Sequence, residues 1–150
     1  MRKLSILVLA IAISVMCVLP AFSLADENSG PRYFSITINC ASENDALTYV
    51  PAYLQCETDN HRMRVSHSSS ETSNSYTNLF HATKSTTQNA STGTLCGQKW
   101  CTPNLTVNIA SNAIVSSDDL WYGLAARGNT KYNNYEGLTS FSISGSYKPF

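Results

Sequence analysis

The sequence predicts an all-β protein, an antiparallel β-sandwich of about six to eight short strands. Several segments alternate strictly between apolar and polar residues, which is the period of a strand with one buried face. Clusters of Gly, Pro, Asn, Asp and Ser separate these segments, as turns do. After residue 25, no segment keeps the i, i+3, i+4, i+7 apolar spacing of an amphipathic helix over three turns.

A secretory signal peptide is predicted at residues 1–25. Two basic residues precede an almost wholly apolar segment, residues 4–24. The small residues Ser23 and Ala25 occupy the −3 and −1 positions of a cut after Ala25, which completes the three-part signal-peptide pattern.

An uncleaved membrane anchor is the alternative for this segment, because a spanning helix needs about 20 apolar residues. Pro20 and the small-residue junction favour cleavage instead. Cleavage would leave residues 26–150 as a single secreted domain with no membrane span, of a length that can bury its own core.

Residues 32–40 form the clearest predicted strand, and residues 61–67 alternate in the same way with Met63 and Val65 inward. The first strand places one set of residues on its apolar face: Phe34, Ile36, Ile38 and Cys40. Between these two strands, residues 46–50 and 52–57 carry strand-forming residues on either side of Pro51. Proline cannot donate to a β-ladder, so we expect an edge, a bulge or a break there.

The second half of the chain shows the same pattern of short strands and polar loops. Residues 68–78 and 84–94 are rich in Ser, Thr and Asn and are predicted as exposed loops, with a short strand at 79–83 between them. Further strands are predicted at 105–109, 120–127 and 138–147, with 128–137 as a hairpin loop. The last two strands have clear apolar faces: Leu120, Tyr122, Leu124 and Ala126, and then Phe141, Ile143 and Tyr147.

Charge and composition exclude some classes of partner. Eight Lys and Arg remain after residues 1–25 are removed, against 10 Asp and Glu, so the mature charge is −2. No basic stripe indicates a nucleic-acid binder, and the chain lacks the cationic amphipathic character of a membrane-disrupting peptide. The abundance of Ser, Thr and Asn suits strands whose outer faces carry hydroxyl groups.

Four cysteines remain after cleavage, namely Cys40, Cys56, Cys96 and Cys101. An even number in an oxidising compartment predicts two disulfides. Of the three possible pairings we favour Cys40–Cys56 with Cys96–Cys101, because both are local in sequence. The second bridge would hold Gly97–Trp100 as a fixed protrusion. A zinc site is the alternative, although only Cys96 and Cys101 approach the usual ligand spacing.

No catalytic, cofactor or metal site is predicted. His61 and His67 lie roughly 20 Å apart on an extended strand, and His81 stands alone in sequence. The chain contains neither the G-x-S-x-G motif of many hydrolases nor a glycine-rich phosphate loop. Asp118 and Asp119 fit a turn better than a calcium site. We therefore expect a non-enzymatic protein without a cofactor.

The aromatic residues are the better candidates for partner contact: Trp100, Trp121, Tyr132 and Tyr135. Exposed aromatic side chains on rigid elements often recognise sugars or proteins. Alternatively, Trp100 packs over its neighbouring disulfide. Because Trp121 and Tyr122 point to opposite faces of one strand, one of the two should be buried.

Three segments resemble uncharacterised small secreted proteins of Gram-positive bacteria, some of which are similar to the lactococcin-972-type bacteriocins. The matching segments are the opening strand, the Trp-Tyr strand and the closing strand: residues 33–38, 120–129 and 142–147. The resemblance implies a secreted β-sandwich and assigns no catalytic residue.

Two functions follow as hypotheses. The first is surface recognition of an extracellular protein, a glycan or a cell-envelope component by a secreted, non-enzymatic sandwich. The alternative, which the resemblance favours, is a bacteriocin-like antimicrobial protein or its immunity factor.

Overall fold

The structure is a computed structural model that describes residues 30–40, 46–70, 76–128 and 139–150. The predicted signal peptide and the candidate contact residues Tyr132 and Tyr135 lie outside these ranges. Eight strands lie within the described ranges: β1 (Arg32–Asn39), β2 (Thr48–Leu54), β3 (Arg62–Ser70), β4 (Asn78–Ser85), β5 (Thr94–Cys101), β6 (Leu105–Ala110), β7 (Trp121–Arg127) and β8 (Ser140–Pro149). Within the described ranges, no helix is long and apolar enough to cross a lipid bilayer.

The strands form two four-stranded antiparallel sheets, which confirms the predicted all-β class. Sheet A has the order β1-β8-β3-β6, and sheet B has the order β2-β7-β4-β5. Consecutive strands therefore often lie in different sheets, and most connections cross from one layer to the other. Two sheets assembled in this way can bury their inner faces against each other.

The inner faces of both sheets form one apolar core. Phe80 of sheet B packs edge-to-face against Phe34 of sheet A, with ring centroids 5.9 Å apart. The predicted alternations of β1, β3, β7 and β8 are confirmed, since their inward residues all belong to or pack against this core. Tyr122 is the buried member of the Trp121–Tyr122 pair. The central core residues are Ile38, Leu54, Met63, Val65, Phe80, Ile109, Tyr122, Leu124, Ile143 and Tyr147.

Pro51 lies within β2 and does not end it. Regular pairing of β2 with β7 is interrupted between Val50 and Leu54. There, Ala52 turns its backbone groups outward: its N–H donates to the Ala90 carbonyl at 3.1 Å, and its carbonyl accepts from the Asn89 N–H at 2.9 Å. Of the three expected alternatives, the edge position and the bulge are therefore present and the break is not, since β2 is an edge strand with irregular pairing that continues through Pro51.

Strand β5 corrects the sequence prediction for Gly97–Trp100, which is not a protruding loop. These residues lie inside a continuous strand that pairs with β4. Because β5 is an edge strand, most of its side chains are exposed or half-buried on both faces, so its sequence shows no alternation. Strands β3 and β4 also extend into the predicted loop 68–78, since β3 continues to Ser70 and β4 begins at Asn78.

The predicted disulfides are not formed. Cys40, Cys56, Cys96 and Cys101 are free thiols. The pairing of Cys96 with Cys101 is wrong because both lie on β5, where five residues of extended chain span about 16 Å. A disulfide needs Cα atoms within about 7 Å of each other.

Candidate functional site

The two predicted tryptophan contacts lie on sheet B but do not form one patch. Trp100 is 38% exposed and pairs with Leu79 at one end of β4. Trp121 is half-buried and pairs with Ser85 at the other end of the same strand. Six residues of extended strand place these two positions about 20 Å apart. A single small ligand cannot contact both.

Ser85, the partner of Trp121, also lines a wide, open concavity of about 370 Å³ at the turn between β4 and β5. Its other lining groups are polar or small, with one cation, Lys84, and one apolar side chain, Leu120. No large exposed aromatic side chain lines it, so the concavity offers little area for tight binding.

A buried polar cluster joins the two sheets inside the core. His67 of β3 and Asn78 of β4 are almost completely buried, and Asn78 Nδ2 lies 3.5 Å from His67 Nε2. Cys101, the register partner of Asn78, is buried beside them. His67 Nδ1 and Asn78 Oδ1 make no hydrogen bond. The sequence did not predict this cluster, because its three residues come from three separate strands.

The chemistry of the cluster does not suit nucleophilic catalysis. The Cys101 thiol donates towards the carbonyls of Thr102 and Leu105, at 3.4 and 3.6 Å. Burial raises the pKa of this thiol, an effect opposed by a hydrogen bond from the His67 backbone. Burial also lowers the pKa of the His67 imidazole to about 4. At neutral pH the cluster therefore holds a thiol and a neutral imidazole, whereas the nucleophile of a cysteine enzyme is the thiolate.

The outer face of sheet A is lined by hydroxyl groups, and we call it the hydroxyl face. It includes outward residues of all four strands: Tyr33, Ser35, Thr37 and Asn39 of β1; Ser140, Ser142, Ser144 and Ser146 of β8; Ser66 of β3; and Thr106 and Asn108 of β6. These residues are exposed or half-buried. The sequence predicted polar outer faces, and the structure adds their alignment across strands.

One row of the hydroxyl face crosses the whole sheet. Tyr33, Ser146, Ser66 and Thr106 are successive register partners on β1, β8, β3 and β6. Ser66 Oγ and Thr106 Oγ1 share a hydrogen bond of 2.8 Å. At a strand spacing of about 4.8 Å the row is about 14 Å long. Tyr33 stands at its end with 83% of its surface exposed.

Three cations surround Phe150 at one end of the same face, and we call this group the basic corner. The distances from the Phe150 ring centroid are 4.8 Å to Arg64 Cζ, 5.7 Å to Arg62 Cζ and 5.5 Å to Lys148 Nζ. Lys148 Nζ also lies 3.7 Å from Glu57 Oε2. Among the described residues, no carboxylate pairs with Arg62 or Arg64.

The sequence alone missed Tyr33 and the basic corner. Arg62 and Arg64 are far from Lys148 and Phe150 in the chain, and only the β3–β8 pairing brings them together. A signal for Tyr33 was present, since it occupies the polar phase of the alternating strand β1. In the part of the chain that the structure describes, no three His, Cys, Asp or Glu side chains are grouped to hold a metal ion.

No protein-family model, curated protein or solved structure matches this chain.

Proposed function

We propose that this chain is a secreted, non-enzymatic β-sandwich that binds an extracellular glycan through the hydroxyl face. The observation that carries the proposal is the row of Tyr33, Ser146, Ser66 and Thr106, in which a largely exposed aromatic ring stands beside aligned hydroxyl groups. Secretion rests on the predicted signal peptide at residues 1–25.

The chemistry of the row complements that of a sugar chain. A pyranose ring has an apolar C–H face, which packs against an aromatic ring, and an edge of hydroxyl groups, which exchange hydrogen bonds with other hydroxyls. Tyr33 supplies a rigid amphipathic surface at little entropic cost. Ser146, Ser66 and Thr106 each supply both a donor and acceptors. The spacing between strands is close to the length of one pyranose unit, so an extended glycan could meet one hydroxyl per unit.

The polar character of the hydroxyl face favours a glycan over a protein. Protein interfaces usually have an apolar core of aromatic or aliphatic anchors inside a polar rim. Tyr33 is the one large apolar side chain among the outward residues named for β1, β8, β3 and β6. The absence of enzymatic activity is proposed from the neutral, closed Cys101–His67–Asn78 cluster.

The test measures retention of the secreted protein on immobilised extracellular polysaccharides, neutral and acidic, for the wild type and two matched variants. Tyr33→Ala removes the exposed ring of sheet A, and Trp100→Ala removes the exposed ring of sheet B. Both sites are exposed, so we expect both variants to fold, as checked by circular dichroism. We expect Tyr33→Ala to weaken binding about tenfold or more, equal to about 1.4 kcal/mol, and Trp100→Ala to change it less than about twofold.

Two outcomes would overturn the proposal. If Trp100→Ala abolished binding and Tyr33→Ala did not, the recognition surface would lie on sheet B, as the sequence predicted. If no polysaccharide were retained but the protein inhibited the growth of neighbouring bacterial strains, the bacteriocin-like alternative would replace it.

A further inference from the structure

The basic corner concentrates positive charge in a chain that has little of it. Only 13% of residues are charged, yet Arg62, Arg64 and Lys148 converge on one ring. Arg64 and Lys148 are direct register partners on β3 and β8. Like charges placed directly opposite each other destabilise a sheet. Among the described residues, Glu57 supplies one negative charge, through Lys148, and no carboxylate pairs with Arg62 or Arg64.

A small concavity lies where the basic corner meets the hydroxyl row. Arg64, Lys148, Ser66 and Ser146 line it, together with Pro31 and Tyr147. Its volume is about 30 Å³, which is room for two or three water molecules. A phosphate, sulfate or carboxylate group fits this space, and a sugar ring does not.

The donors around the concavity suit an oxyanion. Arg64 offers a planar fork of N–H donors, Lys148 an ammonium group, and the two serines a hydroxyl each. Hydrogen bonds from cationic donors to an oxyanion are roughly twice as strong as neutral ones. The four side chains occupy neighbouring positions on two paired strands, so their donors can meet at one point.

Phe150 holds the cations in place. Its backbone N–H donates to the Arg62 carbonyl at 2.8 Å, and its carbonyl accepts from the Arg62 N–H at 3.2 Å. The ring is therefore fixed beside the corner, with the Arg64 guanidinium 4.8 Å from its centroid. A side chain ordered before binding loses less conformational entropy when the ligand arrives.

We propose that the basic corner binds the oxyanion group of an acidic polysaccharide, whose sugar rings lie along the hydroxyl row. The inference rests on the proposed glycan-binding function and narrows it to a substrate class. Ser66 and Ser146 belong to both the row and the concavity, so a sugar beside Tyr33 would direct its anionic substituent toward Arg64 and Lys148.

The experiment compares four polymers with one backbone: dextran, dextran sulfate, dextran phosphate and carboxymethyl dextran. Binding is measured by calorimetry at an ionic strength of about 0.15 M, where charges more than about 8 Å apart are largely screened. Arg64→Gln with Lys148→Gln removes two cations from the corner. Lys84→Gln with Lys99→Gln removes two cations from sheet B and gives the same net charge.

We expect the wild type to prefer at least one charged dextran to plain dextran, and the preferred polymer identifies the anion. The corner variant should lose about tenfold or more in affinity for it, and the sheet B variant less than about twofold. Equal losses in the two variants would overturn the inference, because attraction would then follow net charge alone. Failure to bind any charged dextran would also overturn it, whereas the proposed glycan function is decided separately by Tyr33→Ala on the polysaccharide panel.

Discussion

In sheet A, every second residue of strand β1 is exposed, and the residues between them are buried or half-buried. In sheet B, by contrast, strands β4 and β7 are buried on both faces. Residues 78–83 and 122–126 are all buried, in either phase of the strand. Both sheets share the same core on their inner faces. The two sheets therefore differ in the burial of their outer faces: outward side chains are exposed on β1 and buried on most of β4 and β7.

The outer face of sheet B is covered in part by the chain's own backbone. A Cβ atom at Gly123, on the outward phase of β7, would lie 2.7 Å from the Val50 carbonyl oxygen and 2.9 Å from the Ala52 Cα. The bulge in β2 thus packs directly over β7, and the turn after β4 bonds to the same bulge through Ala90. The outer face of sheet B therefore contributes to the packing of the fold, whereas the outward residues of the hydroxyl face of sheet A are exposed or half-buried, as the proposed glycan binding requires.

Leu79→Ala should give the largest effect in this comparison. Leu79 lies on the outward phase of β4 and is only 2% exposed. If the outer face of sheet B is a second buried layer, removal of this side chain should lower the free energy of unfolding by about 3 kcal/mol. Urea denaturation monitored by fluorescence measures the change.

Leu105→Ala is the matched control, because Leu105 lies on β6 of sheet A and is 56% exposed. We expect it to change the unfolding free energy by less than about 0.5 kcal/mol. If Leu79→Ala lowered the unfolding free energy as little as Leu105→Ala, burial on the outer face of sheet B would contribute no stability.

The same difference explains which parts of the fold the sequence could predict. Where one face is buried and the other is open, as in β1, β3 and β8, the period-two pattern reveals the strand and its inner face. Strand β4 has no such pattern because Leu79, His81 and Thr83 are buried as fully as Phe80 and Ala82. Strand β5 has none because it is exposed at an edge, so its residues were assigned to a loop closed by a disulfide.

The candidate site was predictable in composition but not in place. The alternating pattern of each strand shows which polar residues point outward. It also shows that Tyr33 lies on the outward face of β1. The basic corner depends on which strands are neighbours, since β3 and β8 are separated by about half of the chain. Short-range patterns contain no information about such pairings, and for the same reason Trp100 and Trp121 could not be recognised as distant from each other.

Gly123→Ala tests the covering of sheet B directly. Alanine is otherwise a better strand residue than glycine, which would favour the substitution. Its Cβ would, however, meet the backbone of Val50 and Ala52, which cannot move without shifting the bulge. We expect the unfolding free energy to fall by about 2 to 3 kcal/mol, as measured by urea denaturation.

Gly30→Ala provides the control for this substitution, because among the described residues no atom beyond its chain neighbours would lie within 4 Å of a Cβ at Gly30. It should leave the urea midpoint nearly unchanged. A Gly123→Ala variant as stable as the wild type would mean that the bulge does not press on β7 as the structure shows.

Acidification should destabilise the protein through the polar cluster that joins the two sheets. Burial lowers the pKa of His67 to about 4, from an ordinary value of 6.5. The unfolded chain therefore binds a proton that the folded chain does not, and stability is lost as the pH falls from about 6.5 towards 4. For His67 alone this amounts to about 2 kcal/mol between about pH 7 and pH 5. Burial and nearby Arg127 also lower the pKa of His81, which adds to the loss in the same direction.

Urea denaturation at these two pH values, for the wild type, His67→Gln and His81→Gln, separates the contributions of the two buried histidines. Glutamine at position 67 cannot gain a proton, so this variant should show a smaller loss of stability on acidification than the wild type, whatever its stability at neutral pH. If His67→Gln kept the full pH dependence, His67 would not be the group that titrates, and the loss of stability would be assigned to His81 on the outer face of sheet B.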